Sequence, residues 1–89
     1  MEFNGQAYRL PSGFLGVKPT RVTNAIRQMR FAHGKMTQAD LAERVGLTRQ
    51  TIIAIEQGRY SPSLELAFQI ARVFKVPLEQ VFQYPDNDA

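Results

Sequence analysis

The 89-residue chain contains no cysteine. A disulfide framework and a cysteine-based zinc site are thereby excluded. It has a single histidine, His33, and without a second soft ligand a transition-metal site is not expected. Its longest apolar runs fall far short of the ~20 residues that cross a bilayer. The N-terminus lacks the basic-then-apolar pattern of an export signal, so a cytoplasmic protein is expected. No nucleophile–base constellation or phosphate-cradling glycine loop is present, so neither catalysis nor a cofactor is expected. What is there suits a folded domain. Hydrophobic residues make up 44% of the chain, above the range of disordered tails, and the length fits one small domain with a modest core.

The net charge of +3 is unevenly spread. Residues 18–59 carry eight lysines and arginines against three acids, whereas residues 60–89 carry two against four. One strongly basic half suits a polyanionic partner, although a solvated mixed surface has the same composition.

Apolar spacing predicts five helices, near residues 21–32, 38–45, 49–57, 64–74 and 78–83, and thus an all-α domain over 21–84. Val22, Ala25, Ile26 and Met29 form the buried stripe of the first. Leu66, Ala67, Ile70, Ala71 and Phe74 form that of the fourth, which Ser63 is placed to cap. Pro77 suits the first turn of the fifth. Residues 85–89 read as a frayed tail. Residues 1–20 form an arm too apolar for an ordinary tail, with Phe3, Tyr8, Leu10, Phe14, Leu15 and Val17 around a turn at Pro11–Gly13. Segments 6–10 and 14–18 can pair as a small hairpin, or one of them can add to a partner's strand. Phe68 and Leu64 lie together, off the apolar face of the fourth helix. They mark a second burial surface, for a dimer partner or for the arm.

The stretch from Thr37 to Gly58, TQADLAERVGLTRQTIIAIEQG, carries the most information. Thr37 and Thr48 each precede a helix-period run, where a hydroxyl caps unpaired N–H groups. Gly46 sits where the first of these helices must stop and reverse, which favours a residue tolerant of positive φ. Two short helices joined this tightly make a helix-turn-helix, whose second helix enters the DNA major groove. At about 100° per residue, Thr51, Ile52 and Ile55 share one side of that helix and are expected to pack inward. Arg49, Gln50, Ile53, Ala54 and Gln57 share the other. Arginine can donate two bonds to guanine, and glutamine pairs bidentately with adenine. Gln50 is therefore the leading base reader, and Arg49 reads a base or takes a phosphate. Ile53 can pack on a thymine methyl or stand as an exposed apolar residue. Thr51 is divided between an inward role and a phosphate or thymine contact.

The Thr37–Gly58 stretch, with the run SPSLELAFQIARVFKVPLEQVF from Ser61 to Phe82, resembles the phage-repressor (Cro and repressor, or xenobiotic-response-element) family of regulators, in its small single-domain form. The resemblance covers residues 21–84 and leaves the arm outside. It implies a five-helix DNA-binding domain in which Gln38 spans a phosphate and the recognition helix. It also implies that Gln57, Arg59 and Tyr60 grip the phosphate backbone after the glutamate–glycine ending, with Thr48 at the start of the recognition helix. Arg30 and Glu56 match an internal ion pair bracing the first helix against the third. Ala54 stands where related repressors carry a longer reader, which puts a base contact there in doubt.

These features together predict a regulator that binds double-stranded DNA as a homodimeric repressor on a palindromic operator. Rival readings are a restriction-modification controller, an antitoxin whose Phe68 face or arm holds a toxin, and a protein-interaction module without DNA binding.

Overall fold

The computed structural model of the protein describes residues 20–85. Its helices are α1 (Ile26–Ala32), α2 (Gln38–Val45), α3 (Arg49–Glu56), α4 (Leu64–Phe74) and α5 (Leu78–Val81). Two short strands, β1 (Thr23–Asn24) and β2 (Phe82–Gln83), pair antiparallel, Thr23 opposite Gln83 and Asn24 opposite Phe82. The hairpin expected of the arm and the tail beyond Pro85 fall outside the described residues.

Three helices begin on hydroxyl caps. Thr37, Thr48 and Ser63 have extended backbones, and each side-chain oxygen accepts the N–H three residues on, from Asp40, Thr51 and Leu66. A cap of this kind stabilises a helix by about 1 kcal/mol. α2 stops at Gly46, whose φ of 75° lies in the left-handed region that a side chain would resist. Two further residues, Leu47 and Thr48, complete the turn into α3.

Both outer helices are shorter than their apolar spacing predicts. α1 starts at Ile26 rather than near residue 21, so Val22 and Ala25 are half-buried residues ahead of it. α5 ends at Val81 rather than Gln83, and Pro77 is its extended cap rather than part of its first turn. The cause is the pairing of the two segments. The Ala25 N–H donates to the Val81 carbonyl at 2.8 Å, and the Thr23 hydroxyl to the Gln83 carbonyl at 3.3 Å. Contacts about sixty residues apart thus draw four residues into a strand pair that local periodicity assigns to helix.

One core joins all five helices: Ile26 from α1, Leu41 and Ala42 from α2, Ile52 and Ile55 from α3, Ile70, Ala71 and Phe74 from α4, and Val81 from α5. Burying an isoleucine or phenylalanine side chain contributes about 1.5–3 kcal/mol. The inner faces of α3 and α4 are therefore committed to packing, which leaves their outer faces for other work.

Candidate nucleic-acid interface

The site grows from the start of α2 and the exposed face of α3. At Thr37 a reciprocal capping box forms: its hydroxyl accepts the Asp40 N–H at 2.9 Å, and its own N–H donates to the Asp40 carboxylate at 3.1 Å. The Thr37 backbone N–H, then its hydroxyl, hold the Asp40 carboxyl below its ordinary value. α2 is thus fixed at the end where Gln38 sits.

Along α3, Ile52, Ala54 and Ile55 are buried, Thr51, Ile53 and Glu56 are half-buried, and Arg49 and Gln50 are exposed, as is Gln57 just after it. Arg49, Gln50, Ile53 and Gln57 therefore form one outward strip. Ala54 departs from its expected side, being only 2% exposed. The chain reverses after α3, with the Arg59 N–H bonded to the Ala54 carbonyl at 3.0 Å. With only a methyl group to present and almost none of it exposed, Ala54 leaves the outward set. The Thr48 and Thr51 hydroxyls lie 3.0 Å apart, engaged with each other at the helix start.

Glu56 is the hub behind this strip. Arg30 donates to it through Nε (2.8 Å) and Nη2 (3.2 Å), while its Nη1 donates to the Met36 carbonyl at 2.9 Å. Gln38 Nε2 donates to the same carboxylate at 3.2 Å. One acid therefore ties α1 and the start of α2 to the end of α3, and Arg30 adds the turn before α2. Both charged side chains are only 10% exposed, and the fork geometry satisfies most of the guanidinium. Gln38 is half-buried, with its amide turned to α3 at the mouth of the α2 N-terminus, where a positive partial charge accumulates. Beyond α3, Arg59 Nη1 donates to the Gln57 side-chain carbonyl at 3.2 Å on the exposed surface. Tyr60 is half-buried and packs against the core.

Leu64 and Phe68 stand apart from this cluster. They are 67% and 49% exposed and line a shallow groove with Glu65, Gln69 and Arg72. Among the described residues, no group of three or more metal-binding side chains occurs, and no helix is long and apolar enough to cross a membrane.

Three contributors escape a reading of the sequence. Asn24 Nδ2 donates to the Ile55 carbonyl at 3.0 Å, and its Oδ1 accepts the Ile26 N–H at 3.1 Å, so it holds the end of α3 to the start of α1. No sequence signal singles out an asparagine within an apparent helix. Arg27 and Lys35 border the cleft between α1 and α3 that also contains Gln38, Arg49 and Gln57. The surplus of basic residues over 18–59 was their only trace.

A helix-turn-helix family model matches residues 26–81. The chain belongs to the helix-turn-helix family. Within it, this protein is a small DNA-binding transcriptional regulator of the xenobiotic-response-element type. It is 51% identical over 65 residues to an uncharacterized helix-turn-helix-type transcriptional regulator of Methanocaldococcus jannaschii, covering 73% of this chain and 97% of the relative. A similarly described regulator of Methanothermobacter thermautotrophicus is 54% identical over 65 residues, 72% of this chain and 93% of its own. Among solved structures, a protein of Bacteroides fragilis provisionally assigned as DNA-binding superposes with a TM-score of 0.61 at 26% identity, over 70% of this chain and 98% of its own. A hypothetical transcription factor from Neisseria superposes with a TM-score of 0.59 at 28% identity, over 67% and 68%.

Proposed function

We propose that this regulator is a homodimeric repressor that reads an imperfect palindrome in duplex DNA. The observation that carries the reading is the division of α3: Ile52, Ala54 and Ile55 in the core, Arg49, Gln50 and Ile53 outward, with Gln57 continuing the strip just after it. An eight-residue helix is about 12 Å long, and the major groove is about 12 Å wide. Gln50 pairs with an adenine edge, Arg49 takes a guanine edge or a phosphate, and Ile53 packs on a thymine methyl. Gln38 donates its second amide hydrogen to a phosphate while Glu56 holds the first. Arg59, Gln57 and Tyr60 grip the backbone beyond the helix, and Thr48 and Thr51 border the groove. Phosphate contacts set register, and base contacts set sequence.

Dimerisation is assigned to the Leu64–Phe68 face, since two large exposed apolar side chains one turn apart are poorly solvated. Two protomers then present α3 to successive grooves roughly 34–36 Å apart. Repression follows from occupying promoter DNA, involves no catalytic step and takes place in the cytoplasm. The same apolar face favours a second reading, an antitoxin that holds a protein partner there.

Selection from random duplexes at near-physiological salt tests the proposal. An enriched palindrome with half-sites about one helical turn apart supports it. Retention without enrichment would discard specific reading, and an enriched single half-site would discard the dimer in favour of the partner-dependent reading.

A further inference from the structure

We propose that Arg27, Phe31 and Lys35 form a second DNA-contacting flank, gripping phosphodiesters and a deoxyribose beside the groove that α3 enters. The proposal rests on the DNA-reading function above and extends it to α1 and the α1–α2 turn, elements outside the helix-turn-helix itself.

Position is the first support. These three side chains line the same open cleft, about 730 Å³, as Gln38, Arg49 and Gln57. A backbone lying along the outward strip of α3 therefore passes this wall. Charge is the second. Among the described residues, Glu56 is the one carboxylate lining the cleft, and Arg30 holds it from both oxygens. Arg27, Lys35 and Arg49 remain, and none forms an ion pair with a carboxylate among the described residues. Three cations around one cleft repel each other, and a polyanion relieves that repulsion.

Phe31 supplies the third support. It is 57% exposed, with the guanidinium carbons of Arg27 and Arg30 at 5.8 Å and 5.9 Å from its ring centroid. Such stacking restrains Arg27 and leaves an apolar ring edge beside a cation, the pairing that a sugar–phosphate unit presents in complement. The turn contributes too. Gly34 and Lys35 both have positive φ, 79° and 59°. At Lys35 a Cβ disfavours that conformation, so the side chain reaches the cleft rim from a backbone that glycine would adopt more readily.

The flank is sequence-blind, which gives it a signature distinct from that of α3. Binding of the full chain to its selected duplex and to a shuffled duplex is measured across a salt series. The variants are Arg27→Gln, Lys35→Gln, their double, Phe31→Ala and, as a charge control away from the cleft, Arg44→Gln. Each cleft cation removed is expected to reduce the slope of log affinity against log salt by about 0.9, and the double by about 1.8. Affinity for both duplexes should fall by the same factor, leaving their ratio unchanged, and Phe31→Ala should weaken both without altering the slope. Arg44→Gln should leave the slope as in wild type, and thermal melts confirm that each variant is folded. A wild-type slope in the double variant would overturn the flank, as would an equal loss of slope in Arg44→Gln. Failure of the wild type to prefer its selected duplex would instead strike the base-reading function. Inorganic phosphate that competes more strongly than chloride at equal ionic strength would assign the cleft to a small anion and also overturn it.

Discussion

Replacing Glu56 by alanine removes the acceptor for three donors at once: Nε and Nη2 of Arg30 and the amide of Gln38. The guanidinium keeps one bond, to the Met36 carbonyl at 2.9 Å, and otherwise stands unpaired in a site that leaves it 10% exposed. That exposure decides the magnitude. A solvent-exposed ion pair contributes about 0–1 kcal/mol, whereas removing one partner of a buried pair costs about 3–5 kcal/mol. The buried value applies here. A domain of this length has a total stability of about 3–10 kcal/mol, so Glu56→Ala is expected to take a large share of it. At about 4–8 °C per kcal/mol for small domains, Tm should fall by at least ~12 °C. Urea and thermal melts followed by circular dichroism measure the loss. The double variant Arg30→Met/Glu56→Leu should regain much of it, because an apolar pair of similar volume leaves no buried charge. A Glu56→Ala loss below ~1 kcal/mol would refute the buried-hub account, and so would a double variant as unstable as the single one.

Three further outcomes are expected. The Asp40 carboxyl is held low by Thr37, so its contribution is complete above the ordinary value of 3.8 and is lost as pH falls through the lower folded value. The urea midpoint of the wild type should then drop more steeply below about pH 4 than that of Asp40→Asn; parallel curves would count against the capping box. Asn24→Ala should cost about 1–3 kcal/mol in denaturant melts, since it leaves the Ile26 N–H without its partner and removes one of the bonds to the Ile55 carbonyl, which keeps the Gly58 N–H. A loss under ~0.5 kcal/mol, the scatter of ordinary surface substitutions, would show that the clamp is idle. Phe68→Glu should shift sedimentation from dimer to monomer while circular dichroism still reports a helical fold, because Phe68 is exposed and outside the core. An unchanged sedimentation profile would detach dimerisation from that face.

The middle of the molecule was legible in its sequence because its signals are local. α2 and α4 begin and end where hydroxyl caps, the Gly46 turn and apolar spacing predict, and α3 differs by one residue at its end. The ends of the domain were not legible. Residues 23–24 and 82–83 continue a helical apolar pattern, yet they pair as strands across nearly the whole domain, and no window of local sequence registers that contact. Ala54 differs for a related reason: a helical wheel sets a direction, but burial depends on what the fold packs around the helix, and Ala54 is buried. Within the site, the exposed Arg49 and Gln50 followed from the wheel alone. The Arg30–Glu56 pair and the reach of Gln38 to α3 followed from the family resemblance, whereas their sharing of one carboxylate and the clamp by Asn24 required elements brought together in space.

The most direct test of the account is the binding of wild type and Gln50→Ala to the selected duplex and to the same duplex changed one base pair at a time. Gln50→Ala should lose about 1–3 kcal/mol on the selected duplex and discrimination at one position in each half-site, with the other positions read as before. An equal loss on every duplex would turn Gln50 into a backbone contact, and unchanged discrimination at every position would contradict the claim that the outward face of α3 reads the sequence.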